Sequence, residues 1–267
     1  MKNIQIGLHG AVIPQADLKT GLKAASQAGF NLYEPEVPKI LECTPSQQRE
    51  ANTLRKQLGI TWLPLNEVQA FCSSPKYRAQ DIFTLASGLG ISAVTVIPEP
   101  CPNGISFEKA VQELKQMAAM ASKSGISLMF EMLGFQDRPF HTVNETITLA
   151  QAADIQIVID TFHFIISGAK PDEIAALPKK IIGVVHFSDA ISGGKALHEI
   201  TDADRVLPGE GDLSLIEISG AIRRTGYQGG MSVEVFHPKY AKQDPYKVSH
   251  EAYRSVEELL RASGWFH

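Results

Sequence analysis

The sequence predicts an α/β fold, a single (β/α)8 TIM barrel, on three observations. Short apolar runs recur about every 30 residues along the 267-residue chain, and a helix-like stretch follows nearly every one. There are eight such runs, as a barrel of this kind requires. No Pro/Ser-rich linker or break in composition divides the chain, so residues 1–267 read as one domain. A barrel of this type typically needs about 250 residues.

The elements follow in order. Strands are expected at residues 4–9, 30–34, 60–66, 92–97, 126–133, 155–162, 181–187 and 231–236. Helices are expected at 17–28, 46–58, 77–88, 107–122, 144–153 and 213–225, with a last one over 248–262. Gly29, Gly59, Gly90, Gly125 and Gly226 stand where helices should stop. Thr142-x-x-Glu145 and Ser214-x-x-Glu217 read as capping boxes opening the fifth and seventh helices. The sixth helix is short: Pro171-Asp172-Glu173 can start it and Pro178 ends it early. The longest connection, residues 188–212, follows the seventh strand, and loops of that length are usually functional. Lys239-Tyr240 and Asp244-Pro245 read as a solvated turn before the last helix.

Composition narrows the function. Apolar residues make up 44% and charged residues 20%, which suits a globular core and excludes global disorder. The net charge of −4 argues against a nucleic-acid partner held through phosphates. Cys43, Cys72 and Cys101 are few, odd in number and far apart, which points to reduced thiols and a cytoplasmic setting. No apolar leader opens the chain, and no run approaches the ~18 apolar residues of a membrane span, so no membrane partner is expected.

Strand parity locates the chemistry, because alternate side chains share a face. Ile126, Leu128 and Phe130 oppose Ser127, Met129 and Glu131. Ile155, Ile157 and Ile159 oppose Gln156, Val158 and Asp160, while Met231, Val233 and Val235 oppose Ser232 and Glu234. The purely apolar faces should meet the helices. Glu131, Asp160 and Glu234 then point into the barrel near the C-terminal strand ends, where barrel enzymes keep their sites. His186 shares the parity of Ile182 and Val184, and its inward direction is taken by analogy with the other strands. Three converging carboxylates repel, and desolvating each costs several kcal/mol unless a positive charge compensates. One divalent cation, with His186 as its nitrogen ligand, resolves this. The donor set suits Mn²⁺, Zn²⁺, Co²⁺ or Mg²⁺ without choosing between them. His9 has the parity of Gln5 and Gly7 and is expected to line the pocket. His163, three residues past Asp160, and Arg205, in the long loop, are donors suited to substrate oxygens. Gly209-Glu210-Gly211 lacks the context of a dinucleotide loop and reads as a tight turn.

Five stretches carry a family resemblance: Phe130-Glu131, Thr142-Val143-Asn144, Asp160-Thr161-Phe162-His163-Phe164, Asp204-Arg205-Val206-Leu207-Pro208-Gly209-Glu210-Gly211 and Ser232-Val233-Glu234. On these the chain resembles the xylose-isomerase-like barrel superfamily of sugar isomerases and epimerases, and within it the inosose (2-keto-myo-inositol) isomerases. The resemblance implies that Glu131, Asp160, His186 and Glu234 hold the metal. It implies that Glu131 and Glu234 are also the acid/base pair, and that His163 and Arg205 contact substrate oxygens. Glu34 matches an acidic residue ending the second strand, and Asn66 a polar residue ending the third. The sequence departs from the inosose isomerase pattern in two places. Pro35-Glu36 follows Glu34 where relatives tend to have an apolar residue and arginine, and His237 stands where they tend to have arginine.

The implied activity is metal-assisted proton transfer through an enediolate, shifting the carbonyl of an inosose or related ketose. The expected partner is therefore a small sugar or cyclitol. A homo-oligomer is compatible with this reading. The first alternative is a ketose 3-epimerase of the D-tagatose 3-epimerase type. Less favoured are a hydroxypyruvate isomerase, an apurinic endonuclease, which would need further histidines and a basic groove, and a non-catalytic sugar-binding barrel.

Overall fold

The computed structural model describes residues 4–72 and 74–266. Residues 1–3, part of the N-terminal segment read for a leader, lie outside them. Eight parallel staves close into a barrel. They are β1 (Ile6–His9), β2 (Leu32–Glu34), a third stave split into β3 (Thr61–Trp62) and β4 (Leu65–Ala70), β5 (Ala93–Pro98), β6 (Ser127–Glu131), β7 (Gln156–Asp160), β8 (Ile182–Phe187) and, after a two-stranded ribbon, β11 (Met231–Val233). The ribbon strands are β9 (Asp189–Ala190) and β10 (Arg205–Val206), which pair antiparallel. The barrel order is β3-β2-β1-β11-β8-β7-β6-β5-β4, so the ring closes at the split stave. Pro64 causes the split, because it has no N–H to continue the ladder. A bridge between Glu36 and Asn66 spans the seam.

The helices are α1 (Leu18–Ala28), α2 (Val37–Leu41), α3 (Pro45–Gln57), α4 (Ala79–Leu89), α5 (Phe107–Lys123) and α6 (Val143–Ala153). They continue with α7 (Thr161–Ile166), α8 (Pro171–Ala175), α9 (Leu215–Arg224), α10 (Pro238–Ala241) and α11 (Pro245–Ala262). The five glycines expected to end helices all take positive φ. No helix among the described residues is long and apolar enough to cross a membrane.

The barrel interior is layered. Leu32, Leu63, Ala93, Met129, Val158 and Val184 pack together as an apolar floor. Each of Glu34, Glu131, Asp160 and His186 stands two residues beyond a floor residue on the same strand. Strand rise lifts that polar layer roughly 6.6 Å above the floor. The opposite faces, including Leu128, Phe130, Ile157, Ile159, Val185, Phe187, Met231 and Val233, join the core shared with the helices.

Four local expectations are corrected. The sixth strand does not run to 162. It stops at Asp160, whose Oδ1 accepts from the amides of Phe162 (2.8 Å) and His163 (3.4 Å) and so starts α7. Thr142 and Glu145 do form a capping box, but Ser214, at φ −72° and ψ 43°, makes no cap bond. The third strand runs on past Asn66 to Ala70. Tyr240 is buried rather than solvated: its hydroxyl accepts from Leu207 N (2.9 Å) and donates to Glu210 (2.7 Å).

The long loop is tied down at Asp189. Its carboxylate accepts from the backbone amides of Ala190, Gly209, Gly211 and Leu213, at 2.8 to 3.3 Å. A Cβ at Gly211 would overlap the Ala190 carbonyl oxygen and the Asp189 carboxylate, so this turn requires glycine. The loop thereby delivers Arg205 over the barrel mouth.

Candidate metal centre

Glu131, Asp160, His186 and Glu234 are all buried, and one ligand atom from each lies within 4.8 Å of the other three. His186, fully buried on β8, anchors the group. Its Nδ1 lies 3.1 Å from Glu131 Oε1 and 3.2 Å from Glu234 Oε2. Its Nε2 lies 3.0 Å from Glu34 Oε1, and Glu34 Oε2 accepts from the Ser232 hydroxyl at 2.7 Å. Histidines that bind metals commonly donate their second ring N–H to a carboxylate, which fixes ring orientation. His186 and Glu34 have that arrangement, leaving Nδ1 to face the cluster.

The electrostatics favour positive charge at this point. Burial favours a neutral His186, yet Glu34, Glu234 and Glu131 outweigh it and hold the ring protonated well above the usual histidine range. Burial and the Glu234 charge push Glu131 up. Burial would raise Glu234 too, but His186, His9 and Arg205 hold it below the ordinary carboxylate range. A proton on His186 Nδ1 therefore stands where a divalent cation would bind. Ligands about 2.1 Å from one ion sit at most about 4.2 Å apart, so closure needs shifts on the order of half an ångström. The donor set fits a divalent cation on these grounds.

Arg205 caps the cluster from the loop. Its Nη1 donates to Asp160 Oδ2 (2.8 Å), its Nε to Asp202 Oδ1 (2.9 Å), and its Nη2 to His163 Nε2 (2.9 Å). The guanidinium carbon lies 4.1 Å from the Phe162 ring centroid and 5.4 Å from that of Phe236. Three of its five N–H groups are engaged by these bonds, and Nη1 also lies 3.6 Å from Glu234 Oε2. His163 stays neutral, because burial drives its pKa down to about 3 against the pull of Asp160. His9 accepts from Ala11 N at Nδ1, and its Nε2 lies 3.2 Å from Glu234 Oε1. Asn66 Nδ2 reaches the same Glu234 oxygen at 3.3 Å.

All nine residues singled out from sequence therefore gather at the barrel mouth. Glu131, His163, Arg205, Glu234 and Asn66 line one cleft of about 380 Å³. Asp160, His186 and Glu34 lie beneath it, and His9 opens onto a side lobe. Sequence reading missed Asp202, the partner of Arg205, although its i, i+3 spacing was visible. It also missed Glu67 inside β4, Glu99 just past β5 and Arg138 in a loop, which line the cleft and belong to no motif.

The Arg205 contacts carry a stability prediction. Arg205→Met leaves Asp160 buried without its cation, and breaking such a pair costs about 3–5 kcal/mol. Urea denaturation should show that loss. Arg205→Lys keeps the charge but cannot make three separated hydrogen bonds, so it should recover part of the loss.

The chain is similar to inosose isomerases. It is 27% identical to that of Halalkalibacterium halodurans over 58% of this chain, spanning 57% of the relative's length. It is 26% identical to that of Bacillus subtilis, covering 74% of this chain and 76% of the relative. It is also 27% identical to the 3-dehydroshikimate dehydratase of Pseudomonas aeruginosa over 81% of this chain, though only 36% of that protein. Among solved structures, the IOLI protein with a bound zinc atom superposes with a TM-score of 0.88 at 20% identity, covering 98% and 99% of the two chains. The D-psicose 3-epimerase of Clostridium cellulolyticum H10 with D-tagatose gives 0.73 at 17% identity, covering 97% and 99%. At these identities the structural matches speak to the fold. A family model described as a xylose isomerase-like TIM barrel matches residues 22–258, and the chain belongs to that family.

Proposed function

We propose that the protein is a divalent-metal-dependent isomerase that shifts the carbonyl of a polyhydroxy ketone, an inosose or a related ketose. The carrying observation is geometric. Glu131 and Glu234 approach the same nitrogen of His186 from β6 and β11, on opposite sides of β7 and β8 in the sheet order. Bound to Glu131, Asp160, His186 and Glu234, a divalent cation would supply Lewis-acid polarisation of the substrate oxygens. The residues supply the rest. One glutamate removes the proton from the hydroxyl-bearing carbon next to the ketone, leaving an enediolate. The hydroxyl proton passes to the former carbonyl oxygen, and a carbon-bound proton is returned to the former carbonyl carbon. One C–H bond breaks, one forms, and no oxidant is needed. Arg205, whose Nη1 also lies 3.6 Å from Glu234 Oε2, stands beside the acid/base glutamate and can reach a substrate oxygen there, and the tied loop holds it over the site.

The spacing of the glutamates also favours a second reading. Two separate proton-handling groups could return a proton to the same carbon from the opposite face, which is epimerisation. The inosose isomerase relatives and the epimerase fold neighbour match these two readings in turn.

The test is NMR of metal-loaded protein with a panel of inososes and ketoses in deuterated water. A shifted ketone is expected. A C3-inverted product assigns the epimerase reading instead. Absence of conversion across the panel overturns both.

A further inference from the structure

The barrel mouth opens in two directions. Beside the main cleft lies a smaller lobe of about 110 Å³, whose walls include His9, Glu36, Asn66, Lys76, Tyr77 and Phe236. The two share Asn66, Glu67 and Phe236, so a ligand in the cleft can extend into the lobe.

Glu36 is the unexplained group in that lobe. It is half-buried and stands directly before α2, yet its side chain makes no cap bond. Among the described residues its carboxylate has no hydrogen-bond or ion-pair partner. A second group at the junction is also incomplete. Asn66 is more than nine-tenths buried and uses its Nδ2 on His9 and Glu234, while its Oδ1 has no partner. Whichever way that amide is turned, one end lacks a full set of protein bonds. Buried polar atoms are normally satisfied, so Asn66 Oδ1 calls for a hydrogen-bond donor, and the unpaired Glu36 carboxylate faces the same lobe.

We propose that this lobe is the subsite for the part of the substrate remote from the proton-transfer carbons, and that Glu36 selects an uncharged hydroxyl there. The inference rests on the polyhydroxy-ketone reading above. A carboxylate only accepts hydrogen bonds, so a hydroxyl satisfies it and a phosphate or carboxylate group does not. Among the described residues lining the lobe, Glu36 faces Lys76, whose Nζ lies 5.1 Å from the Tyr77 ring centroid, while burial and Glu234 push Glu67 up to about 7. The Glu36 carboxylate therefore disfavours an anion beside it, while the lobe offers donors and acceptors to a polyol.

The test uses full-length, metal-loaded protein with Glu36→Gln and Glu36→Arg. Turnover of the ketone panel is followed by NMR, and binding of myo-inositol and its deoxy analogues, which lack the ketone, by calorimetry. Glu36→Gln should raise KM and the myo-inositol Kd by about tenfold or more, as expected for a hydrogen bond to a charged group. The change in kcat should be much smaller. The penalty should vanish for the deoxy analogue lacking the hydroxyl that Glu36 reads. Glu36→Arg should gain binding of a polyhydroxy acid that the parent rejects. KM and Kd within twofold of the parent in Glu36→Gln would overturn the subsite while leaving the isomerase reading intact. Glu36-dependent polyol binding without turnover would overturn the isomerase reading and leave the subsite. Failure of the parent both to turn over and to bind polyol would overturn both.

Discussion

Glu131→Gln and Glu234→Gln should each lower kcat by about 10²- to 10⁴-fold, the usual worth of a positioned acid or base. Glutamine keeps the shape and the hydrogen-bonding reach of glutamate but cannot carry the proton. Each substitution removes one carboxylate from a cluster in which carboxylates outnumber cations, so His186 keeps other carboxylate partners and the fold should stay intact, as near-parental denaturation curves would show. Metal content must be measured alongside, because both residues also stand in the cation's ligand set. The two variants should differ in a second readout. The one lacking the base should no longer exchange the substrate's carbon-bound proton with deuterated water. The one lacking the proton donor should still exchange it while forming little product. Parental turnover in either variant at full metal loading would remove that residue from the proton-transfer pair.

The core of the site was legible because polarity changes at the strand ends while parity does not. Met129 to Glu131, Val158 to Asp160 and Val184 to His186 each pass from apolar floor to polar layer in one two-residue step. An inward carboxylate at a strand end is costly without a partner, so the pattern itself called for a cation. Other parts depended on contacts that sequence spacing does not record. Glu34 is a partner of His186 although their strands are separated in the sheet by β1 and β11. Asp189 organises four amides drawn from several turns of the long loop. Glu36 appeared in the sequence only as a departure at one position, and the cavity that gives it meaning exists only after the ring has closed. Pro64 was in plain view, but an apolar run hides a break whose signature is one absent N–H.

Removing divalent cations should abolish turnover, and restoring Mn²⁺, Zn²⁺ or Co²⁺ should both recover it and stabilise the fold. The reason lies in the buried charge. Glu34, Glu131, Asp160 and Glu234 face one arginine and one protonated histidine, so carboxylates outnumber cations by two, and Glu131 is pushed up toward its protonated form as a result. A divalent cation adds two positive charges where the protons on His186 and Glu131 now offset the carboxylates, and it would displace those protons. Binding should accordingly release a proton, and affinity should fall as pH drops, because the protonated ring is the competitor. The sign follows from His186 being held protonated above its usual range, against the cost of burial, by Glu34, Glu234 and Glu131. At a hundredfold excess over Kd, a cation that binds only the folded state stabilises it by about 2.7 kcal/mol. For a chain of this size that corresponds to a rise in Tm of roughly 5–10 °C. Glu34→Gln supplies the control for ring orientation. It leaves all four ligands in place, and weakening such a supporting carboxylate typically costs 10- to 100-fold in metal affinity. Calorimetry in two buffers of different ionisation enthalpy would read both the affinity and the released proton. Unchanged Tm on metal addition, with tight binding retained by a variant lacking His186, would place the cation somewhere other than this cluster.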